Sequence, residues 1–210
     1  ADLADRVRAT LGLDYRVLSG EEEAAMTFRG TLAMVPGLDA ACVLDIGGGS
    51  TEIVVGEASA PPHYRISLDV GSVRLTERFF RNQPPTAVQI AAAERTLDAV
   101  LGMVPREPIT EVPLVEGGGT ARVLAALIGA TAPVPTIPYA TVRAWRDQLL
   151  ALTPTEVRAL HPSLLTGRED VTAAAVLLLD TVMQRFGFDA FIASAGGLRH
   201  GLALDAAEAS

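Results

Sequence analysis

Hydrophobic residues follow first a helical and then a strand-like spacing along the first 28 residues. Apolar residues recur at helical spacing over residues 3–11, and Gly12 follows where such a helix would end. Residues 15–18 are typical of a short strand. A serine with a glutamate three residues later forms a capping box, which predicts a helix from Ser19 to about Phe28.

Three strand-like segments come next. Residues 41–46 form a continuous apolar run, residues 51–55 are rich in β-branched side chains, and residues 64–68 alternate between apolar and polar. As consecutive strands, they are expected to pair antiparallel. From Ser72 onward the spacing of apolar residues becomes helical.

The remainder of the chain alternates helices with short strands. A threonine with a glutamine three residues later caps a helix whose apolar face carries Ile90, Ala93, Leu97, Leu101 and Val104. The further predicted elements are a strand over 112–115, a helix over 120–128 stopped by Gly129, a loop over 132–138, a helix over about 141–152, a helix capped by Thr153, a helix over 170–186 closed by Gly187, a strand over 191–193 and a final helix after Gly197. This order predicts a mixed α/β sheet covered by helices.

Composition limits the classes of function that are open to the chain. Its 210 residues suit one domain, and 49% hydrophobic residues are enough to fill a core. All 17 basic residues are arginine, which excludes Schiff-base lysine chemistry and the lysine-dependent Walker A phosphate loop. The formal net charge of -8 argues against nucleic acid and anionic membranes as partners. A bound anion must therefore be held by backbone N–H groups and guanidinium groups.

The single cysteine and the apolar segments indicate a reducing, cytoplasmic setting. Cys42 lies in an apolar run, where a buried thiol is expected rather than a nucleophile, and one cysteine forms no intramolecular disulfide. The most apolar stretch, residues 171–179, is too short to span a bilayer. The first five residues lack the features of a secretory signal. We therefore expect a cytoplasmic protein that does not bind a membrane.

Three apolar strands each end in a cluster of glycines, and this recurrence is the main chemical signal. The clusters are Gly47–Gly49, Gly117–Gly119 and Gly196–Gly197. Glycine permits close backbone approach, so that successive N–H groups can converge on an anion. The first cluster connects two strands, whereas the other two lead into helices, whose N-termini favour anions. Each cluster alone also fits an ordinary turn, but together they favour a phosphate site.

Carboxylates beside a phosphate site need a purpose, because they repel phosphate unless a divalent cation lies between them. Asp45 ends one strand and Glu52 begins the next, so both can lie at the mouth of one hairpin, where hard oxygen ligands suit Mg2+ or Mn2+. An aspartate that only stabilises the turn is the alternative. Glu22 is explained as the capping partner, whereas Glu23 is free to act as a general base for water.

The motifs around these residues form a long ordered series, at residues 19–24, 44–52, 68–79, 116–120, 168–170 and 196–201. In this order they resemble the exopolyphosphatase and guanosine pentaphosphate phosphatase (Ppx/GppA) family. That family belongs to the superfamily of actin, heat-shock ATPases and sugar kinases. The resemblance implies a ribonuclease-H-like, actin-like ATPase fold with a mixed sheet flanked by helices.

The resemblance also implies roles for individual residues. Glu23 matches the family's catalytic base, and Asp45 and Glu52 match positions that orient the attacking water or hold the metal, Mg2+ or Mn2+. Arg74 lies in the family's Gly-x-x-Arg-Leu motif and supports the substrate or the loop, with a surface or packing arginine as an equal alternative. Phosphate binding is implied for Gly47, Gly48, Gly49, Ser50, Thr51, Gly117, Gly118, Gly119, Thr120 and Arg74.

Two departures from the family pattern affect the prediction. Family members begin with a further domain that carries an Asp-x-Gly-Ser-Asn-Ser phosphate loop, which this sequence lacks. We therefore expect residues 1–30 to be the end of a preceding domain and residues 31–210 to be a second ribonuclease-H-like domain, with a helical insertion near 139–165. Family catalysis uses the cleft between both domains, so the activity of this chain by itself stays open. The second departure is His200, where the family usually has glutamate.

The favoured function is metal-assisted hydrolysis of terminal phosphoanhydride bonds in inorganic polyphosphate, guanosine pentaphosphate or both. A non-catalytic module that binds phosphate or a guanosine nucleotide is the first alternative. A phosphotransferase of the same superfamily is the second. The sequence does not choose between the two substrates, and a homodimer is one oligomeric state left open.

Overall fold

The computed structural model of the chain describes residues 3–13 and 17–208. Within them the strands are β1 (Ala40–Ile46), β2 (Thr51–Glu57), β3 (Tyr64–Leu68), β4 (Leu114–Glu116), β5 (Thr136–Pro138) and β6 (Ala190–Ala193). The helices are α1 (Leu3–Leu11), α2 (Gly20–Leu32), α3 (Ser72–Phe79), α4 (Ala87–Leu101), α5 (Glu107–Thr110), α6 (Gly119–Leu127), α7 (Tyr139–Leu150), α8 (Pro154–Leu160), α9 (Pro162–Leu165), α10 (Thr172–Phe186) and α11 (Leu198–Glu208).

The strands form one mixed sheet in the order β3-β2-β1-β4-β6-β5. The first three strands pair antiparallel, as predicted, whereas β1, β4 and β6 run parallel at the centre. Leu44 pairs with Glu116, and Glu116 pairs with Ala193, so the carboxyl ends of the three parallel strands lie level with one another. The glycine clusters follow those ends, and they therefore meet at one edge of the sheet, where α/β folds place their ligands.

Helices cover both faces of the sheet, which confirms the predicted fold class. Cys42 and Leu44 of β1 face a large core built with α3, α4, α6, α7 and α10. Val43 faces the other side, where it packs with Phe28 of α2. Alternation along β1 is the period of two that a strand imposes on its side chains. Cys42 is buried, and burial raises the pKa of its thiol to about 12, in agreement with its predicted role as a small core residue.

Local sequence signals define most helix ends. Capping boxes are present at Ser19, Thr86 and Thr153, the three positions where they were predicted. Gly12 and Gly129 follow their helices with φ near +65°, and Gly187 ends α10 in the left-handed conformation, where glycine avoids the steric cost of a Cβ atom.

The prediction of a loop over residues 132–138 is wrong for its last three residues. Residues 136–138 form β5, which pairs antiparallel with β6 at the edge of the sheet. An edge strand needs hydrogen bonds on one side only, so it tolerates the prolines that made this segment look like a loop. Ile137 anchors the strand because its side chain is fully buried.

Other predictions differ from the structure in extent. Helix α2 continues to Leu32, the short helices α5 and α9 were not predicted, and residues 15 and 16 of the predicted first strand lie outside the described residues. Three helices, α7 to α9, occupy residues 139–165, where helices were expected. The division of the chain into two domains at residue 30 stays a prediction. None of the helices in the described ranges is long and apolar enough to cross a membrane.

Candidate active site

Backbone hydrogen bonds join the strand ends from which the three glycine clusters start. The N–H of Gly117 donates to the carbonyl of Leu44 over 3.2 Å, and the N–H of Ser194 donates to the carbonyl of Glu116 over 2.9 Å. The ends of β1, β4 and β6 are thereby held together. Three cavities open around this point, and Asp45 lines two of them.

Glu23, Asp45 and Glu52 line one cavity of about 260 Å³, which we call the carboxylate cavity. Asp45 and Glu52 are opposite residues of the β1–β2 hairpin, and Glu23 comes from the exposed first turn of α2. The hydroxyl of Ser67 donates to Oε1 of Glu52 over 2.8 Å. The structure thus brings together the three acidic residues that the sequence singled out, from two separate parts of the chain.

The surroundings of Asp45 disfavour the charged form of its carboxyl group. Partial burial raises the pKa of its carboxyl group, and the negative charges of Glu52 and Glu23 raise it further. Such crowding of carboxylates is unfavourable without a cation or a proton between them. This is an arrangement that a hard divalent cation would relieve.

The residues present fit a cation that keeps part of its water. Across the described residues, no three acidic, histidine or cysteine side chains are close enough to hold a metal ion by themselves. Asp45 and Glu52 offer two carboxylates in one cavity, and Mg2+ is usually held by one or two carboxylates, with water and substrate phosphates completing its shell. The pair is therefore suited to Mg2+ or Mn2+.

The loop over residues 47–50, which we call the first loop, presents unpaired backbone donors. Its turn is closed by the Gly47 N–H, which donates to the carbonyl of Ser50 over 3.0 Å. Its outer carbonyls accept from the start of α3, because Ser72 and Val73 donate to Gly47 and Gly48 over 2.9 Å each. In the described chain, the N–H groups of Gly48, Gly49 and Ser50 have no acceptor. Three such N–H groups in one turn suit an anion.

Two residues predicted to bind phosphate have other partners. The hydroxyl of Thr51 is buried and donates to the carbonyl of Val70 over 2.6 Å, so its side chain fixes the hairpin and is not available to phosphate. Arg74 forms an ion pair with Asp69 over 2.6 Å, with its guanidinium group next to Gly49 on the exposed side of the first loop. Arg74 thus lies beside the first loop as an exposed, ion-paired side chain, and its role stays a prediction.

At the second cluster, Gly117–Gly119, backbone N–H groups contact the side chain of Glu116, a residue that the sequence did not single out. The carboxyl group of Glu116 is fully buried and accepts a hydrogen bond at Oε2 from the N–H of Ala121, in the first turn of α6. Burial raises the pKa of Glu116 to about 8, against the effect of the N–H groups of Ala121 and Gly118, which lower it. Two donors that would serve a phosphate therefore face a carboxyl group of the chain.

A further cavity of about 260 Å³ separates the first loop from α6 and α10. It is lined by Gly47, Gly48 and the buried Thr120, together with apolar side chains of α6 and α10. Thr120 and Gly119 therefore share a cavity with the first loop. This cavity combines backbone polar groups on one wall with aliphatic side chains on the other.

The sequence predicted no role for a further group of residues, three of them arginines, which we call the arginine cleft. Arg122, Arg168, Arg199 and His200 line a cavity of about 210 Å³, together with Asp45 and the second and third glycine clusters. Arg122 and Arg199 each lie two or three residues after a glycine cluster, a signal that could have indicated them. Arg168 crosses over Gly119, where a Cβ atom would collide with its guanidinium group. The cleft concentrates positive charge in a chain with a net charge of -8.

Comparison with known proteins connects this site to one family. The Ppx/GppA phosphatase family matches residues 1–209. The chain is 33% identical to exopolyphosphatase 2 of Mycobacterium tuberculosis over 222 residues, which covers 97% of this chain and 68% of that protein. It is 28% identical to the guanosine-5'-triphosphate,3'-diphosphate pyrophosphatase of Vibrio atlanticus over 208 residues, or 96% of this chain and 40% of that protein.

Solved structures agree with the sequence comparison. The crystal structure of the Aquifex aeolicus Ppx/GppA family member superimposes with a TM-score of 0.87 at 27% identity, and covers 98% of this chain and 68% of that chain. An exopolyphosphatase-like protein of known structure matches with a TM-score of 0.81 at 29% identity. The mixed sheet and its flanking helices are therefore the architecture of these proteins.

Proposed function

The chain belongs to the Ppx/GppA phosphatase family, and from this premise we propose that it hydrolyses terminal phosphoanhydride bonds of inorganic polyphosphate, guanosine pentaphosphate or both. The observation that carries the proposal is the carboxylate cavity beside the unpaired N–H groups of the first loop. A nucleophilic water and the phosphoryl group that it attacks need those two environments next to each other.

Glu23 would act as the general base. Its carboxylate lines the cavity from an exposed helical turn, where it can accept a proton from a water held near Asp45 and Glu52. The water oxygen forms a bond to the terminal phosphorus, the bridging P–O bond breaks, and the shortened phosphate leaves with the electron pair of that bond. The products are orthophosphate and a substrate one phosphate shorter.

The first loop would bind the transferred phosphoryl group. The unpaired N–H groups of Gly48, Gly49 and Ser50 would stabilise charge that develops on its oxygens, and such stabilisation is a main way in which proteins accelerate phosphoryl transfer. Asp45 and Glu52 are the residues that would hold Mg2+ or Mn2+, and the ion, when bound, would neutralise charge on the terminal phosphate.

The arginine cleft would bind the phosphates that follow the scissile bond. Asp45 lines both this cleft and the carboxylate cavity, and the guanidinium groups of the cleft can form paired hydrogen bonds with phosphate oxygens. A polyanion can thus bind to a protein of net negative charge, because the positive charge is concentrated beside the reacting group. Both candidate substrates present successive phosphates to such a cleft.

The experiment that tests the proposal measures orthophosphate release from polyphosphate of defined length and from guanosine pentaphosphate. Each is assayed with Mg2+, with Mn2+ and with EDTA, using residues 1–210 alone and joined to a first domain that carries the Asp-x-Gly-Ser-Asn-Ser loop. We expect metal-dependent release of one phosphate per event from at least one substrate. Release by residues 1–210 alone would show that hydrolysis does not depend on a first domain.

Two results would overturn the proposal that the protein is a hydrolase. Binding of either substrate without release, in both forms of the protein, would identify a binding module. Transfer of phosphate to an added acceptor in preference to water would identify a phosphotransferase. Titration calorimetry and product analysis by ³¹P NMR distinguish the two.

A further inference from the structure

Glu116 is a carboxyl residue at a core position of a central strand. It lies on the same face of β4 as Leu114, and both residues are essentially inaccessible to solvent. A buried carboxyl group is costly unless its oxygens have partners. Oε2 has one in the N–H of Ala121, whereas Oε1 is buried and makes no hydrogen bond of normal geometry with the described residues, although the N–H of Gly118 lies close enough to the carboxyl group to lower its pKa. A residue of this cost at this position calls for an explanation other than packing.

The unpartnered oxygen points to Gly118. A Cβ atom on Gly118 would lie 2.7 Å from Oε1 of Glu116 and 3.1 Å from Oδ1 of Asp45. Both carboxyl groups therefore approach the same backbone atom, and only glycine leaves room for them. Gly118 is also the N-cap residue of α6 and has no side chain with which to cap it. Glu116 does so instead, from two residues earlier in the chain.

We propose that Glu116 is a positioning residue of the active site, which holds the second glycine cluster against the end of β1 and so fixes the carboxylate of Asp45. The assignment rests on the proposed hydrolase function, because Asp45 is one of its reacting-site residues. Glu116 itself lies beneath the turn and reaches neither water nor substrate. Its effect is transmitted through Gly118 and through the first turn of α6.

Loss of this support should alter the reaction more than substrate binding. Replacing Glu116 by alanine leaves α6 without a cap and opens space beneath Gly118, into which the Asp45 side chain can turn. Misplacement by about 1 Å of a group that orients a reactant reduces turnover by up to roughly two orders of magnitude. The arginine cleft and the first loop keep their donors, so the affinity for phosphate is retained.

The test compares Glu116→Ala and Glu116→Gln in whichever form of the protein releases phosphate. We expect Glu116→Ala to lower kcat at least about tenfold with KM changed less than about threefold, since the change displaces a reacting-site group. We expect Glu116→Gln to keep kcat within about threefold of wild type, because an amide oxygen still accepts from Ala121. Crystal structures of both variants should show Asp45 displaced only in the alanine variant.

Asp180 provides the matched control. It is a buried carboxylate with one unpartnered oxygen, Oδ1, it pairs with Arg146 over 2.7 Å, and it lines none of the three cavities. Asp180→Ala should lower the melting temperature without changing kcat. If Glu116→Ala likewise lost only stability, or if Asp45 kept its position in that variant, the positioning role would be overturned. An inactive wild-type protein would overturn the hydrolase instead, while the crystal structures would still decide whether Glu116 positions Asp45.

Discussion

The carboxylate of Glu23 has its place in the site because of its position on a helix. Residues 21–23 all lie in the first turn of α2, yet each has a different environment. Glu22 completes the capping box, Glu21 forms an ion pair with Arg65, and Glu23 lines the carboxylate cavity. Three consecutive glutamates therefore have three different roles, which follow from the 100° rotation between successive helical residues.

Glu23→Gln should abolish turnover while leaving substrate binding near normal. The amide keeps the size and the hydrogen-bonding capacity of the side chain but cannot accept the proton of the attacking water. Turnover is measured as phosphate release, and binding by calorimetry with the same substrate. Glu21→Gln, in the same helical turn but outside the cavity, should retain activity. Lost binding with unaffected turnover in the Glu23 variant would contradict its role as base.

Glu116 should make the free energy of unfolding depend on pH. In the unfolded chain a glutamate releases its proton above about pH 4.5, whereas the folded protein holds the Glu116 proton up to about pH 8. The folded state therefore binds more protons over this range, and the free energy of unfolding falls as pH rises. Between pH 5 and pH 8, this difference in proton binding lowers the free energy of unfolding by roughly 3 kcal/mol.

Urea titrations at pH 5, 6, 7 and 8 measure that dependence. The free energy of unfolding should fall less steeply with pH in Glu116→Gln, because glutamine has no proton to release. A residual slope of the same sign is expected from Asp45, because its pKa is also raised. Equal slopes in the wild type and the glutamine variant would show that Glu116 does not titrate as its burial requires.

At the scale of elements, the placement of α2 depends on glycines that allow two backbones to touch. A Cβ atom on Gly30 would collide with the carbonyl of Gly197 and the N–H of Gly201, where α2 crosses the third glycine cluster and α11. Arg29 adds ion pairs to Asp205 and Glu208 of α11. The crossing fixes the orientation of α2, and thereby the position of Glu23 at its other end.

Gly30→Ala should destabilise the protein by about 3 kcal/mol, because overpacking forces backbone elements apart. Gly20→Ala is the matched control at the start of the same helix, where a Cβ atom would meet nothing within 4 Å. That change should be neutral, or stabilising by up to about 1 kcal/mol, since alanine loses less conformational entropy on folding. Thermal and urea unfolding measure both. Equal stabilities of the two variants would mean that the crossing adapts to a side chain.

At the scale of the whole molecule, the distribution of charge matters more than its sum. The chain carries a net charge of -8, yet three arginines converge on one cleft at the edge of the sheet. Clefts that concentrate one sign of charge attract ligands even when the rest of the surface repels them. The acidic surface then selects against binding of polyanions at other places.

Arg199→Gln should raise KM for polyphosphate about tenfold and leave kcat within about twofold, because a hydrogen bond to a charged group contributes about 1.5 kcal/mol or more to binding. Initial rates of phosphate release over a range of substrate concentrations separate the two constants. Arg95→Gln is the control, since Arg95 is exposed on α4 and lines none of the three cavities. An equal rise of KM in both variants would indicate an effect of net charge rather than of the cleft.

Much of this protein is determined by local sequence. The capping boxes, the glycines at helix ends and the alternation along β1 act over a few residues, so they define elements without knowledge of the fold. Asp45 and Glu52 are neighbours across a short hairpin, which is why the sequence already places them together. The order of the motifs further indicated the family, and the resemblance predicted the role of Glu23 as general base.

Only the tertiary structure decided which groups are free to act. Thr51 has the residue type of a phosphate ligand, but its hydroxyl donates a hydrogen bond to the carbonyl of Val70, which lies between β3 and α3. Glu116 and the arginine cleft depend on parallel strands that place distant segments at one edge, and no local pattern encodes that contact. Strand β5 forms because its backbone pairs antiparallel with β6. Local interactions determine elements over a few residues, whereas pairing between distant segments determines which side chains meet, which are buried and which remain available for chemistry.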